Sequence, residues 1–135
     1  MNEEIMKLIE LGKKEAISSF LDMRLEELSS GYARVSMPMK SEYLNFNGMV
    51  FGGIICSVAD QAFAYATNSV ITPNVATQFN IHFINAASAD DILTAECRVL
   101  KTGKRVCISE IKVYNQDKKV IAIGSGTTIP LISKT

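Results

Sequence analysis

The sequence predicts an α+β fold: an antiparallel sheet wrapped around one long central helix, with a further helix at the N-terminus. Three observations carry this. From Met49 to Ala66 the only charged residue is Asp60, and the stretch from about Gly52 to Asn68 is apolar on nearly all sides. Such a helix is expected to be buried. Four runs after it alternate apolar and polar residues with the period of a strand. Two more strand-like runs flank the turn Ser29-Ser30-Gly31 before it.

Taken in order, Asn2 to about Ser19 reads as an amphipathic helix. Ile5, Met6, Leu8, Ile9 and Ile17 recur among Glu and Lys, and Gly12 weakens its middle. Phe20 to Leu28 fits either a continuation of that helix or a strand. Beyond the turn, Ala33, Val35 and Met37 alternate with Arg34 and Ser36, and Pro38 ends the strand. The central helix starts near Gly52 and ends around Asn68, before Pro73. Phe79, Ile81 and Phe83 then alternate with polar neighbours, as do Leu93, Ala95, Cys97 and Val99. Turns at Thr102-Gly103-Lys104 and Asn115-Gln116-Asp117-Lys118 set off Cys107 to Val113 and Val120 to Ile129. Gly124 and Gly126 loosen the last run. Short turns between successive strands imply an antiparallel meander.

Composition narrows the class. With 135 residues, 47% of them hydrophobic, the chain suits a single domain spanning 1–135. The net charge of zero gives no footprint for nucleic acid or an anionic membrane surface. No apolar run is long enough for a transmembrane helix. The start Met1-Asn2-Glu3-Glu4 is acidic, unlike a signal peptide. Three cysteines, Cys56, Cys97 and Cys107, lie far apart without metal-ligand spacing, which fits reduced thiols in a cytoplasmic protein. One histidine, His82, excludes a multi-His metal site within one chain, and no metal is expected.

The chemistry concentrates in the central stretch. Gly52 and Gly53 open the helix, where unpaired N–H groups and the helix dipole favour an oxyanion. They serve either as such a cradle or as a tight contact between helix and sheet. Asp60 is either a functional carboxylate or one capped by a local hydroxyl such as Ser57. It lies eight residues past Gly52, on nearly the same face but about 12 Å along the axis. A base or nucleophile and an oxyanion donor must both reach one reacting group within about 3 Å. If both act, they come from different copies of the chain, related by a twofold axis. Asn45 offers either an amide for a carbonyl or water, or an Asx-turn. His82 reads as a surface or interface residue. Lys101, Lys104 and Arg105 form a basic hairpin tip able to meet a phosphate.

The run Leu44-Asn45-Phe46-Asn47-Gly48-Met49-Val50-Phe51-Gly52-Gly53, followed by Ser57-Val58-Ala59-Asp60-Gln61-Ala62-Phe63-Ala64-Tyr65-Ala66, resembles the hotdog-fold thioesterases of the PaaI type, a subgroup of the 4-hydroxybenzoyl-CoA thioesterase superfamily. The likeness continues through Gln78 to Phe83, Asp91 to Glu96 and Thr102 to Arg105, and spans roughly Leu21 to Thr128. It implies a hotdog fold that dimerises into a continuous sheet, often as a dimer of dimers. It implies acyl-CoA thioester hydrolysis without metal or cofactor, coenzyme A being part of the substrate. The position of Asp60 acts in the family as nucleophile or general base, the N–H at Gly52 polarises the carbonyl, and Asn45 orients substrate or water. Gly53, Phe51, Asn47 and Thr77 are then candidate substrate contacts, and Lys104 and Arg105 candidate contacts for CoA phosphates.

Two departures stand out. Phe51 occupies the place of the family's usual histidine, and Ala76 the place of a hydroxyl, with Thr77 adjacent but expected to face the other way. Phe51 supports an alternative, a hotdog protein that binds acyl-CoA or lipid without hydrolysis. A hotdog hydratase ranks last, because its histidine belongs beside the carboxylate and His82 is on a later strand. Phe46, Met49, Phe51 and Phe63 are pocket lining or core.

Overall fold

The computed structural model describes residues 2–131. An N-terminal arm of two helices, α1 (Glu3–Lys13) and α2 (Ala16–Phe20), precedes β1 (Arg24–Ser29) and β2 (Tyr32–Pro38). A 3-10 turn at Ser41–Tyr43 leads to the central helix α3 (Gly52–Asn68), then β3 (Asn74–Phe83), β4 (Ile92–Thr102), β5 (Cys107–Tyr114) and β6 (Val120–Pro130). The expected single N-terminal helix is thus two. Asn2 caps α1 by accepting the Ile5 N–H at 2.8 Å, and the chain breaks at Lys14 and Glu15. The ambiguous Phe20–Leu28 segment divides into the end of α2 and strand β1.

All six strands form one antiparallel sheet in the order β1-β2-β4-β5-β6-β3. The predicted four-strand meander therefore holds only for β4-β5-β6. β3 crosses to the far edge and pairs with β6, while β2 takes the place beside β4. Burial follows the order. Leu93, Ala95 and Cys97 of β4 are fully buried, whereas most of β3 is exposed. Alternation in the sequence reports that a strand exists, not which neighbour it chooses.

α3 lies across the concave face, packed chiefly on β2 and β4. Its buried side is Ile55, Val58, Ala59, Ala62, Phe63, Tyr65, Ala66 and Thr67. Phe63 is 1% exposed, and burial of a side chain that size contributes about 2–3 kcal/mol. Gly126 on β6 is what admits it, since a Cβ there would overlap the Phe63 ring. That glycine is a packing site rather than a loosened strand.

α3 is largely buried, as expected, but not on every side. Gly53, Asp60 and Ala64 are exposed, and Cys56, Ser57, Gln61 and Asn68 are half-buried, so a stripe of α3 remains open in the single chain. The adjoining sheet edge, β3, carries no Asp, Glu, Lys or Arg. No helix among the described residues is long and apolar enough to cross a membrane.

Candidate active site

The entry to α3 is held from two sides. The Val50 N–H donates to the Ala87 carbonyl at 3.0 Å, and the Phe51 N–H to the Tyr43 carbonyl at 2.8 Å. Phe51 is the N-cap, but its side chain cannot accept a hydrogen bond and caps nothing. The N–H groups of Ile54 and Ile55 both run to the Phe51 carbonyl, at 2.9 and 3.4 Å. Gly52 and Gly53 are the first two helical residues, whose N–H groups have no acceptor within the helix. They carry the positive end of a 17-residue helix with nothing from the chain's own side chains to neutralise it.

Both glycines are also tight packing points. A Cβ on Gly52 would stand 3.1 Å from the Phe83 ring, and one on Gly53 would stand 2.7 Å from the Phe51 ring. The cradle and the close contact are therefore compatible readings of the same two residues. Phe51 itself is 57% exposed, its ring laid over Gly53.

Asn45 serves a double purpose. Its Oδ1 accepts the N–H groups of Asn47 at 2.9 Å and Met49 at 3.2 Å, an Asx-turn that shapes the loop into the helix. With the oxygen so engaged, the Nδ2 end is the donor left to face the groove that Asn45 lines with Gly52, Met49, Ile55 and Phe83, a volume of about 330 Å³. Asn47 acts on the loop through its backbone.

Asp60 lies in a different groove, of about 320 Å³, lined by Gly53, Cys56, Ser57, Asp60, Ala76 and Phe79. The Ser57 hydroxyl donates to the Gly53 carbonyl at 2.9 Å, so it does not cap Asp60. Asp60 is exposed on one side, yet the protein packed around its other side withdraws enough water to raise its pKa. The nearby Glu15 carboxylate raises it further. Burial also raises the Cys56 thiol, with the Asp60 charge adding to it. A carboxylate with raised proton affinity, no counter-ion among the described residues and an open side is suited to take a proton or attack an electrophile.

Gly52 and Asp60 thus face separate grooves of one chain, along an unbroken helix that spaces them by about 12 Å. The other candidates are dispersed. Lys104 and Arg105 stand exposed at the β4–β5 turn and line neither groove. The Thr77 hydroxyl donates to the Thr127 carbonyl at 3.3 Å. A bulge between Ala76 and Gln78 resets the strand's alternation, and Ala76 joins Phe79 in the Asp60 groove. His82 lies exposed on the far side of the sheet beside Asn80, Glu96 and Lys112. Among the described residues no cluster of His, Cys, Asp and Glu is placed to hold a metal ion. Glu15 is the neighbour that sequence reasoning missed. It is 45 residues from Asp60, and no local pattern connects them.

The geometry has counterparts among known proteins. The structure of the Escherichia coli PaaI protein from the phenylacetic acid degradation operon superposes with a TM-score of 0.92 at 29% identity, covering 97% of this chain and 96% of that one. The chain is therefore a hotdog-fold protein, its sheet wrapped about α3. The Thioesterase superfamily pattern matches residues 47–122, the span that holds α3 and strands β3 to β5. The acyl-coenzyme A thioesterase PaaI of E. coli is 33% identical over 114 residues, 84% of this chain and 81% of that protein. A relative from Archaeoglobus fulgidus is 36% identical over 115 residues, 85% of this chain and 75% of that protein. The chain belongs to the thioesterase superfamily, in its PaaI-type branch, and is a thioester hydrolase.

Proposed function

We propose that the protein hydrolyses acyl-CoA thioesters at composite sites, each built by two copies of the chain. One observation carries this reading: the uncapped N–H of Gly52 and the carboxylate of Asp60 ride on one rigid helix and face separate grooves, too far apart to meet on one substrate. Two features support the pairing. The β3 edge is ten residues long and uncharged, suited to extending the sheet into a second copy. The open stripe of α3 lies next to that edge and needs cover. A dimer formed there, and a dimer of dimers beyond it, is the assembly this reading takes. The similarity to an acyl-coenzyme A thioesterase supports CoA as the thiol. The free cysteines agree with work in the cytoplasm.

In this mechanism the thioester carbonyl oxygen points at the Gly52 N–H of one subunit, with Gly53 beside it. Asp60 of the other subunit takes a proton from water as the water oxygen bonds to the carbonyl carbon. The negative charge that develops on oxygen is met by the helix N-terminus. The adduct collapses, the C–S bond breaks, and the departing CoA sulfur receives the proton. Direct attack by the Asp60 carboxylate, giving an anhydride that water then opens, uses the same groups. The Asn45 Nδ2 orients the acyl group or the water, and Lys104 and Arg105 meet CoA phosphates from the rim. Neither route requires histidine, so Phe51 is a wall of the site and not a missing part.

Release of free CoA from a panel of acyl-CoAs tests this. Asp60→Asn is expected to lose about 10²–10⁴-fold in kcat, the range for removing a general base. Equal rates for the two proteins would overturn the assignment.

A further inference from the structure

We propose that Glu15, carried to α3 by the N-terminal arm and hydrogen-bonded to Gln61, the residue that follows Asp60, is a positioning residue that holds a second negative charge near the Asp60 carboxylate. The inference rests on the reading of Asp60 given above for its catalytic consequence, but not for its geometry.

Glu15 is the N-cap of α2, where the shorter Asp or Ser is the usual capping residue. The Glu15 side chain makes no capping hydrogen bond. Instead its Oε1 accepts from the Gln61 Nε2 at 2.6 Å, across 46 residues of sequence. Gln61 directly follows Asp60. One turn further along α3, Tyr65 forms the second anchor. Its hydroxyl lies where a Cβ on Gly12 would be, so α1 sits against it with no room for a side chain. Leu8, Leu11 and Ala64 line the slot between these contacts. Two contacts one turn apart fix the arm in rotation and height, and with it the place of Glu15.

Among the described residues, no cation is paired with Asp60. On α3 the neighbouring titratable group is Cys56, which is neutral. From β3 the facing residues are Ala76 and Phe79. On the arm, Lys13 is bonded to Glu10 at 3.1 Å, and Lys14 is exposed. Glu15 adds to burial in raising the proton affinity of both Asp60 and the Tyr65 hydroxyl. A like charge favours the protonated form of its neighbour, and a stronger base transfers protons faster near neutral pH.

The experiment titrates Asp60 directly, by NMR of protein labelled with ¹³C at the aspartate side-chain carboxyl. The Asp60 signal is assigned from its loss in Asp60→Asn. Glu15→Gln keeps the shape and an acceptor for Gln61 while removing the charge. Gln61→Leu keeps both carboxylates and removes the tie. The Asp60 midpoint is expected to fall in both variants, and the acid limb of the kcat/KM profile to move to lower pH with it. An unchanged midpoint in Glu15→Gln overturns the inference. A midpoint that moves only in Glu15→Gln overturns the role of Gln61. The NMR result does not depend on turnover, so a fully active Asp60→Asn would defeat the catalytic reading and leave the Glu15 coupling separately decided.

Discussion

Mixing two inactive variants should restore activity. The first variant is Asp60→Asn. The second is Gly52→Pro, chosen because Gly52 is the first helical residue, a position where proline fits and removes only the N–H. Phe51 before it already has φ −58° and ψ 132°, the extended conformation that a following proline demands. The pyrrolidine ring would press on Phe83, whose edge stands 3.1 Å from the added Cβ and must yield by a few tenths of an ångström. Loss of one oxyanion donor lowers kcat by about 10²–10³-fold. If Gly52 of one copy serves Asp60 of the other, a mixed dimer holds one site with both groups intact and one with neither. Random pairing of equal amounts makes about half the dimers mixed, so the pool recovers about a quarter of wild-type activity. The assay is CoA release after the two proteins are exchanged in mild denaturant and returned to buffer, with each variant carried through alone. A pool no more active than the average of its components would refute the composite site. The distance along α3, about 12 Å, would then have to be closed by some bending of a helix with no proline or break in its 17 residues.

Two further outcomes bear on stability. Because Asp60 has a raised pKa in the folded chain, that state holds the proton more tightly than the unfolded one between the ordinary aspartate midpoint and the raised value. Stability therefore falls as pH rises through this window, and above it the ionised carboxylate opposes folding in full. Asp60→Asn should accordingly raise Tm at pH 7 and lose that advantage below the ordinary aspartate midpoint; a lower Tm at pH 7 would show the carboxylate to be a structural support. Gly126→Val should lower stability by about 1–3 kcal/mol, read as a fall in the urea midpoint, since the new side chain must displace Phe63 from the core; an unchanged midpoint would mean that Phe63 has room to move.

The central helix was legible in the sequence at both ends, Gly52 and Asn68, because glycines open it and a run that is apolar apart from Ser57, Asp60 and Gln61 fills most of it. The turn at Ser29–Gly31 and the strand after it were legible from alternation, whereas the arm before it, Phe20 to Leu28, fitted helix or strand. Strand order was not. The crossing of β3 to the far edge accompanies the greater burial of β4, which depends on all the other strands at once. Which residues of α3 stay open was not legible either. Small residues such as Gly53 and Ala64 look apolar in a sequence whether they meet the core or the open side. At the site, local relations were readable and distant ones were not. Asp60 and the two glycines share a helix, and the Asx-turn at Asn45 spans five residues. The Ala76 bulge needs the register with β6, and the Glu15–Gln61 contact needs the docked arm.

The two margins of the sheet are unlike. β1 bears Arg24, Glu26 and Glu27, an irregularity between Leu25 and Glu27, and an ion pair from Glu27 to Arg34 at 3.0 Å. Charge and a broken ladder discourage another strand from adding there. β3 carries no Asp, Glu, Lys or Arg, and its own irregularity, between Ala76 and Gln78, lies near one end of the strand. A sheet with two open margins polymerises, and a sheet with none stays alone. In the dimer proposed above, β3 meeting β3 would leave the charged β1 at both outer limits of the joined sheet. The asymmetry written into these two strands thus favours a closed pair over a fibre, at the same seam where the two halves of each proposed site would meet.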